Sequence, residues 1–139
     1  MKRNFLTFFA TALALLMTTA ASAQTLKVKV NVPFNFIASR ATLPAGEYLV
    51  DSMDDHGTVL AIRGLNSEAK NLVMSNSCRS LEPASQTKLI FHRYGDRYFL
   101  YKIWVAGNNI GHELRPSPRE KEVARDFSVQ EVVLMAARR

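Results

Sequence analysis

The chain has a single cysteine, Cys78, in 139 residues. An internal disulfide is therefore excluded, and any fold must be held by an apolar core. No run of like charges occurs, and no low-complexity stretch or internal repeat is present. The Gly-x-Ser-x-Gly elbow, the phosphate-cradling glycine loop and the paired histidines of a zinc helix are all missing, which removes the common signatures of hydrolases, nucleotide-binding proteins and zinc peptidases. No cofactor or metal motif is found, so none is expected.

The one long apolar run lies at the start. Lys2 and Arg3 precede "FLTFFATALALLMTTA", and small residues follow at Ala21–Ala23. This order of basic, apolar and small residues is that of a secretory signal peptide, with cleavage expected between Ala23 and Gln24. A retained membrane anchor is the competing reading. The run is at the short limit for a membrane span and ends in hydroxyl and small residues, without a basic stop. Residues 1–23 are thus expected to be a cleaved signal helix and residues 24–139 one exported domain, periplasmic or extracellular, with no transmembrane segment in the mature chain. Loss of Lys2 and Arg3 lowers the 18 cations to 16 against 12 acids, a mature charge of +4. That excess is spread out, which argues against nucleic acid and for mild attraction to an acidic envelope surface.

The remaining residues read as short strands between turn signals. In "TLKVKVNVPFNFIA", residues 25–38, Leu26, Val28, Val30, Val32, Phe34 and Phe36 alternate with polar positions, and Pro33 places a break or an edge inside the run. Pro44-Ala45-Gly46 and Asp54-Asp55-His56-Gly57 read as turns, and "CRSLEPASQ" reads as a loop holding Cys78. Seven or eight such segments at regular spacing predict an all-β antiparallel meander closing toward a small barrel or sandwich. Ser117-Pro118-Arg119-Glu120 is a capping box, predicting one short helix over about 118–126. Residues 128–139 fit a helix or a strand. The strand is preferred because it would cover an open sheet edge.

"FHRYGDRYFLYKIW", residues 91–104, is dense in aromatic and basic residues. A two-residue turn at Gly95-Asp96 would pair Tyr94 with Arg97, Arg93 with Tyr98, His92 with Phe99 and Phe91 with Leu100. Strict alternation then groups His92, Tyr94, Phe99, Tyr101 and Ile103 on one face, and Leu89, Phe91, Leu100 and Trp104 on the other. Neither face is polar, so the ribbon is expected to lie centrally, covered on both sides. Its cations can rest their stems on aromatic rings, each contact contributing about 0.5–1 kcal/mol. If one face is open, His92, Tyr94, Phe99 and Tyr101 are the candidate lining for a small apolar ligand.

Other chemistry is sparse. His92 and His112 could meet on neighbouring strands and offer imidazoles to a metal, the basis of an alternative reading as a metal-assisted enzyme. Asp54-Asp55-His56 resembles a catalytic string but suits a tight turn equally well. Cys78, beside Arg79 and in an oxidising compartment, could form a Cys78-linked dimer.

The stretches "VPFNFIA…LPAGEYLV", "LIFHRYGDRYFLYKIW" and "GHELRPSPREKE" together resemble a group of small exported bacterial proteins abundant in soil acidobacteria. The resemblance spans nearly all of the mature chain. It implies an envelope or extracellular location and a compact β fold, and carries over no activity and no site residue. The expected function is an exported, non-catalytic β module that binds a small apolar ligand or an envelope component. A purely structural envelope protein is the third class considered.

Overall fold

A computed structural model describes residues 26–138, apart from the side chain of Arg138. The segment expected to be a signal peptide, with Ala23 and Gln24, lies outside the described residues. Alternation makes β1 (Lys27–Val32) a strand with Val28, Val30 and Val32 buried and Lys27, Lys29 and Asn31 exposed. Pro33 ends it, because proline cannot donate to the ladder. β2 (Phe36–Ala38) and β3 (Ala41–Leu43) form a small hairpin. β4 (Gly46–Ser52) and β5 (Val59–Gly64) then extend the sheet from β1, antiparallel throughout.

β6 (Lys70–Arg79) is the hinge of the architecture. Its first half, Lys70 to Met74, pairs with β5, and its second half, Ser75 to Arg79, pairs with β9 (Ile110–Leu114). The chain therefore passes from one half of the fold to the other within a single strand. Beyond it, β7 (Lys88–Tyr94) and β8 (Arg97–Trp104) form the central hairpin, and β9 lies beside β8. Because β6 neighbours β9 and not β7, these four strands take a Greek-key step. After α1 (Pro118–Asp126), β10 (Gln130–Met135) pairs with β7, and β11 (Ala137–Arg138) pairs with β1.

The all-β expectation with one short helix is borne out, and residues 130–138 hold strands. Among the described residues eleven strands replace seven or eight, since β2, β3 and β11 are only two or three residues long. The barrel expectation is corrected: the pairing path ends at β10 on one side and β11 on the other, and no residue bonds both β7 and β1. Among the described residues no helix is long and apolar enough to cross a membrane.

One core joins both halves. Val28, Tyr48, Val50, Leu60 and Ile62 come from the β1–β4–β5 side, and Leu89, Phe91, Leu100 and Ile103 from the hairpin. Phe36 meets Tyr48 and Phe91 edge-on, at ring separations of 5.2 and 5.6 Å, so β2 plugs the junction. Edge-to-face pairs add about 0.5–1.5 kcal/mol each beyond their burial. The Tyr48 hydroxyl stays satisfied by donating to the Pro44 carbonyl at 2.6 Å.

The hairpin register matches all four expected pairs, with Gly95 at φ +63° in its turn. A bulge between Ile90 and Phe91 then leaves Tyr101 as an extra residue, since Phe91 faces Leu100 and Ile90 faces Lys102. This shift corrects the expected faces. Ile103 joins Leu89 and Leu100 in the core, whereas Trp104 passes to the outer side opposite Lys88.

Candidate functional site

The helix and the hairpin together assemble the aromatic group. The Ser117 hydroxyl caps α1 by accepting from the Glu120 backbone N–H at 3.2 Å. The capping box is only half made, because the Glu120 carboxylate turns inward and accepts the Tyr94 hydroxyl at 3.2 Å. His92 Nδ1 lies 3.4 Å from the same oxygen, and His92 Nε2 lies 4.0 Å from Glu131 on β10. His92 also stacks on Tyr101, with centroids 3.8 Å apart. Phe99 meets Tyr94 edge-on and packs with Ile37 and Val123. Burial, and then the Glu120 carboxylate, push the Tyr94 phenol above its ordinary value.

His92, Tyr94, Phe99 and Tyr101 are thus brought together on one face. α1 and β2 cover that face: Tyr94 and Phe99 are buried, and His92 and Tyr101 are half-buried. Glu120, a buried carboxylate at 6 % exposure, is the residue sequence reasoning assigned only to capping. Its neighbour Pro118 and its position in the box concealed an inward role that appears only when α1 docks.

His112 belongs elsewhere. It pairs with Ile103 of the core, whereas His92 pairs with Phe99 under the helix, so the two imidazoles face opposite sides of the sheet. The alternative arrangement, in which the two imidazoles meet on neighbouring strands, is not the one formed. Among the described residues no three His, Cys, Asp or Glu side chains are placed to hold a metal ion. His112 instead backs an open cleft of about 360 Å³ at one end of the fold, with Ser52, Asp54, His56 and Ile110 around it. Its Nδ1 is enclosed without a hydrogen-bond partner, and burial pushes its pKa below the ordinary value despite Asp54 nearby.

Asp54-Asp55-His56-Gly57 is the turn expected, and it also walls this cleft. The Val59 backbone N–H donates to Asp54 at 3.1 Å and holds its carboxyl below the usual range. Gly57 sits at φ +69°, and a Cβ there would run into the His112 ring. The turn and the histidine therefore require each other's shape. Cys78 is on β6 opposite Gly111 and half-buried, which corrects the loop expectation. Burial raises its thiol pKa, and the geometry lends a Cys78-linked dimer no support.

The chain matches no family model, no curated protein and no solved structure.

The outer face of β1, β4, β5 and β6 carries exposed side chains that packing leaves uncovered. Cross-strand pairing aligns Lys27, Asp51, Ala61 and Leu72 in one row, and Lys29, Leu49, Arg63 and Lys70 in the next. Met53 bonds through its backbone to Val59, which pairs with Met74. Met53, Leu72 and Met74 are 62 %, 55 % and 66 % exposed and form an apolar corner. Arg63 binds Asp51 at 2.6 Å and neutralises it, leaving Lys27, Lys29 and Lys70 as exposed cations beside that corner.

Proposed function

We propose that the mature protein is an exported, non-catalytic β module that docks on an anionic lipid surface of the bacterial envelope. The observation that carries this is the outer face just described: an exposed Met53–Leu72–Met74 corner flanked by three lysines. Unbranched methionines adapt to irregular apolar surroundings, and lysine stems lie along apolar surface while their heads meet phosphates. Each lysine near a strongly anionic surface contributes about 1 kcal/mol, so the three supply about 3 kcal/mol, on the order of a hundredfold in affinity. The separation of His92 from His112 removes the geometry on which the metal-assisted enzyme rested. Cover by α1 weakens the case for an apolar ligand on the hairpin.

Vesicle flotation tests this. The mature protein should float with phosphatidylcholine vesicles containing phosphatidylglycerol and stay behind with phosphatidylcholine alone, and added salt should weaken the binding. A Lys27→Glu, Lys29→Glu, Lys70→Glu variant should lose it, and a Leu72→Asn, Met74→Gln variant should weaken it. Failure of the wild type to float with the anionic vesicles at low salt overturns the proposal.

A further inference from the structure

Trp104 is the only tryptophan of the chain, and the bulge in the hairpin turns it outward. It lies between Lys88 on β7 and Gly111 on β9. A Cβ at Gly111 would stand 2.7–2.9 Å from three indole carbons, closer than packed atoms allow. Glycine at this position is therefore what lets the indole rest against the strand. Its remaining surface lines a cleft of about 340 Å³, together with Ser80, Glu82, Pro83, Ser85 and Lys88. That volume falls in the range of about 300–1,000 Å³ typical of small-ligand sites.

The cleft walls are held before any ligand arrives. The loop following β6 is bonded to the loop preceding β9: Ser80 N–H donates to Asn109 at 2.8 Å, Ala84 N–H to Asn108 at 3.0 Å, and Gly107 N–H to Ala84 at 2.8 Å. The Thr87 hydroxyl accepts the Ala106 N–H at 3.1 Å on the same side. Glu82 and Lys88 form no ion pair with another described residue. One rigid indole thus meets a carboxylate, an ammonium group and two hydroxyls that the fold does not use.

We propose that this cleft is a binding site for a hydroxyl-rich glycan segment. A pyranose ring has a face of C–H bonds and a rim of hydroxyls. The C–H face suits a flat aromatic ring, which contributes large rigid contact area at low entropic cost. The rim suits Glu82, which accepts from sugar hydroxyls, and Lys88 and the serines, which donate to them. A wholly apolar ligand would leave those polar groups unmatched. A phosphate-bearing ligand would meet the Glu82 carboxylate with only one lysine to offset it. This site shares no residue with the lipid-docking corner and does not depend on it.

Because Trp104 is the sole indole, its fluorescence reports on the cleft without background. Titration of the mature protein with the tetramer of N-acetylglucosamine, and separately with the tetramer of glucose, should give a saturable change with at least one at low-millimolar concentration or below. Saturation by the first alone points to wall glycan as the source, by the second alone to environmental glucan, and by both to recognition of the shared hydroxyl pattern. Glu82→Gln and Lys88→Met should each weaken binding by about tenfold while leaving the unfolding transition in place. Gly111→Ala should alter the starting spectrum and abolish the response. No saturable change with either sugar, or full affinity retained in both the Glu82→Gln and Lys88→Met variants, overturns the proposal.

Discussion

Replacing Phe99 by alanine tests whether the hairpin is covered on its helix side. Phe99 is 2 % exposed, pairs with His92 across the ladder, and packs with Ile37, Tyr94 and Val123, thereby joining β2, the hairpin and α1. Truncation removes a whole buried ring from a site whose walls are three separate elements, so collapse around the void is limited. Losses of this kind run to about 3–5 kcal/mol, including the edge-on contact with Tyr94. A domain of this size has about 5–15 kcal/mol in total. The expected fall in Tm is therefore on the order of 10–20 °C. Urea denaturation should show a lower midpoint at unchanged slope, and amide exchange should quicken first in α1. Trp104→Ala should cost less, about 2 kcal/mol, because the indole is only half-buried. The exposed Arg97 should tolerate alanine within about 0.5 kcal/mol. A Phe99→Ala change below about 1 kcal/mol would refute the inference that α1 and β2 seal this face.

Three further outcomes are expected. Cys78 should react slowly with a thiol reagent in the native protein, faster as pH rises, and fully after denaturation, because burial raises its pKa. Rapid native labelling would return it to an exposed loop. His112 has a folded pKa below its ordinary 6.5, so in mildly acid solution the unfolded chain binds its proton more readily. The His112 contribution should be complete above about pH 6.5 and lost as pH falls from there through the folded value, and denaturation of His112→Gln between pH 5 and 8 should lack that component. Protein recovered from the envelope or medium of its host should begin at Gln24 on N-terminal sequencing, and an intact Met1 in the membrane fraction would reverse the export reading.

What could be read from the sequence was local. The Gly95-Asp96 turn dictates its own register, because only a short loop joins its strands. Ser117 and Pro118 fix the start of α1 in the same way. The bulge at Tyr101 is not local: an extra residue leaves no mark on apolar spacing, yet it moves Trp104 from the expected core to the surface. Cys78 and Arg79 read as loop yet end β6, because a strand that changes partner midway is polar over its second half. Strands as short as β2, β3 and β11 contain too few residues to show a period. The candidate site followed the same division. The turn chemistry of Asp54-Asp55-His56-Gly57 was readable, but His112 arrives from a strand far along the chain. Glu120 was readable as a cap, whereas its bond to Tyr94 depends on the docking of α1.

The change of partner between β10 and β11, at Ala136, bears on the order of folding. β10 closes against β7 and β11 against β1, so one short segment clamps the first strand of the fold to the central hairpin. β1 and β11 are separated by about a hundred residues of chain, and a contact of that span must wait for nearly all of the sequence to be available. Until residues 130–138 are available, β1 lacks its outer neighbour and β7 keeps an unpaired edge. Such a chain can form the β1–β4–β5–β6 ladder and the hairpin, but it gains its full ladder only once its last strands are in place.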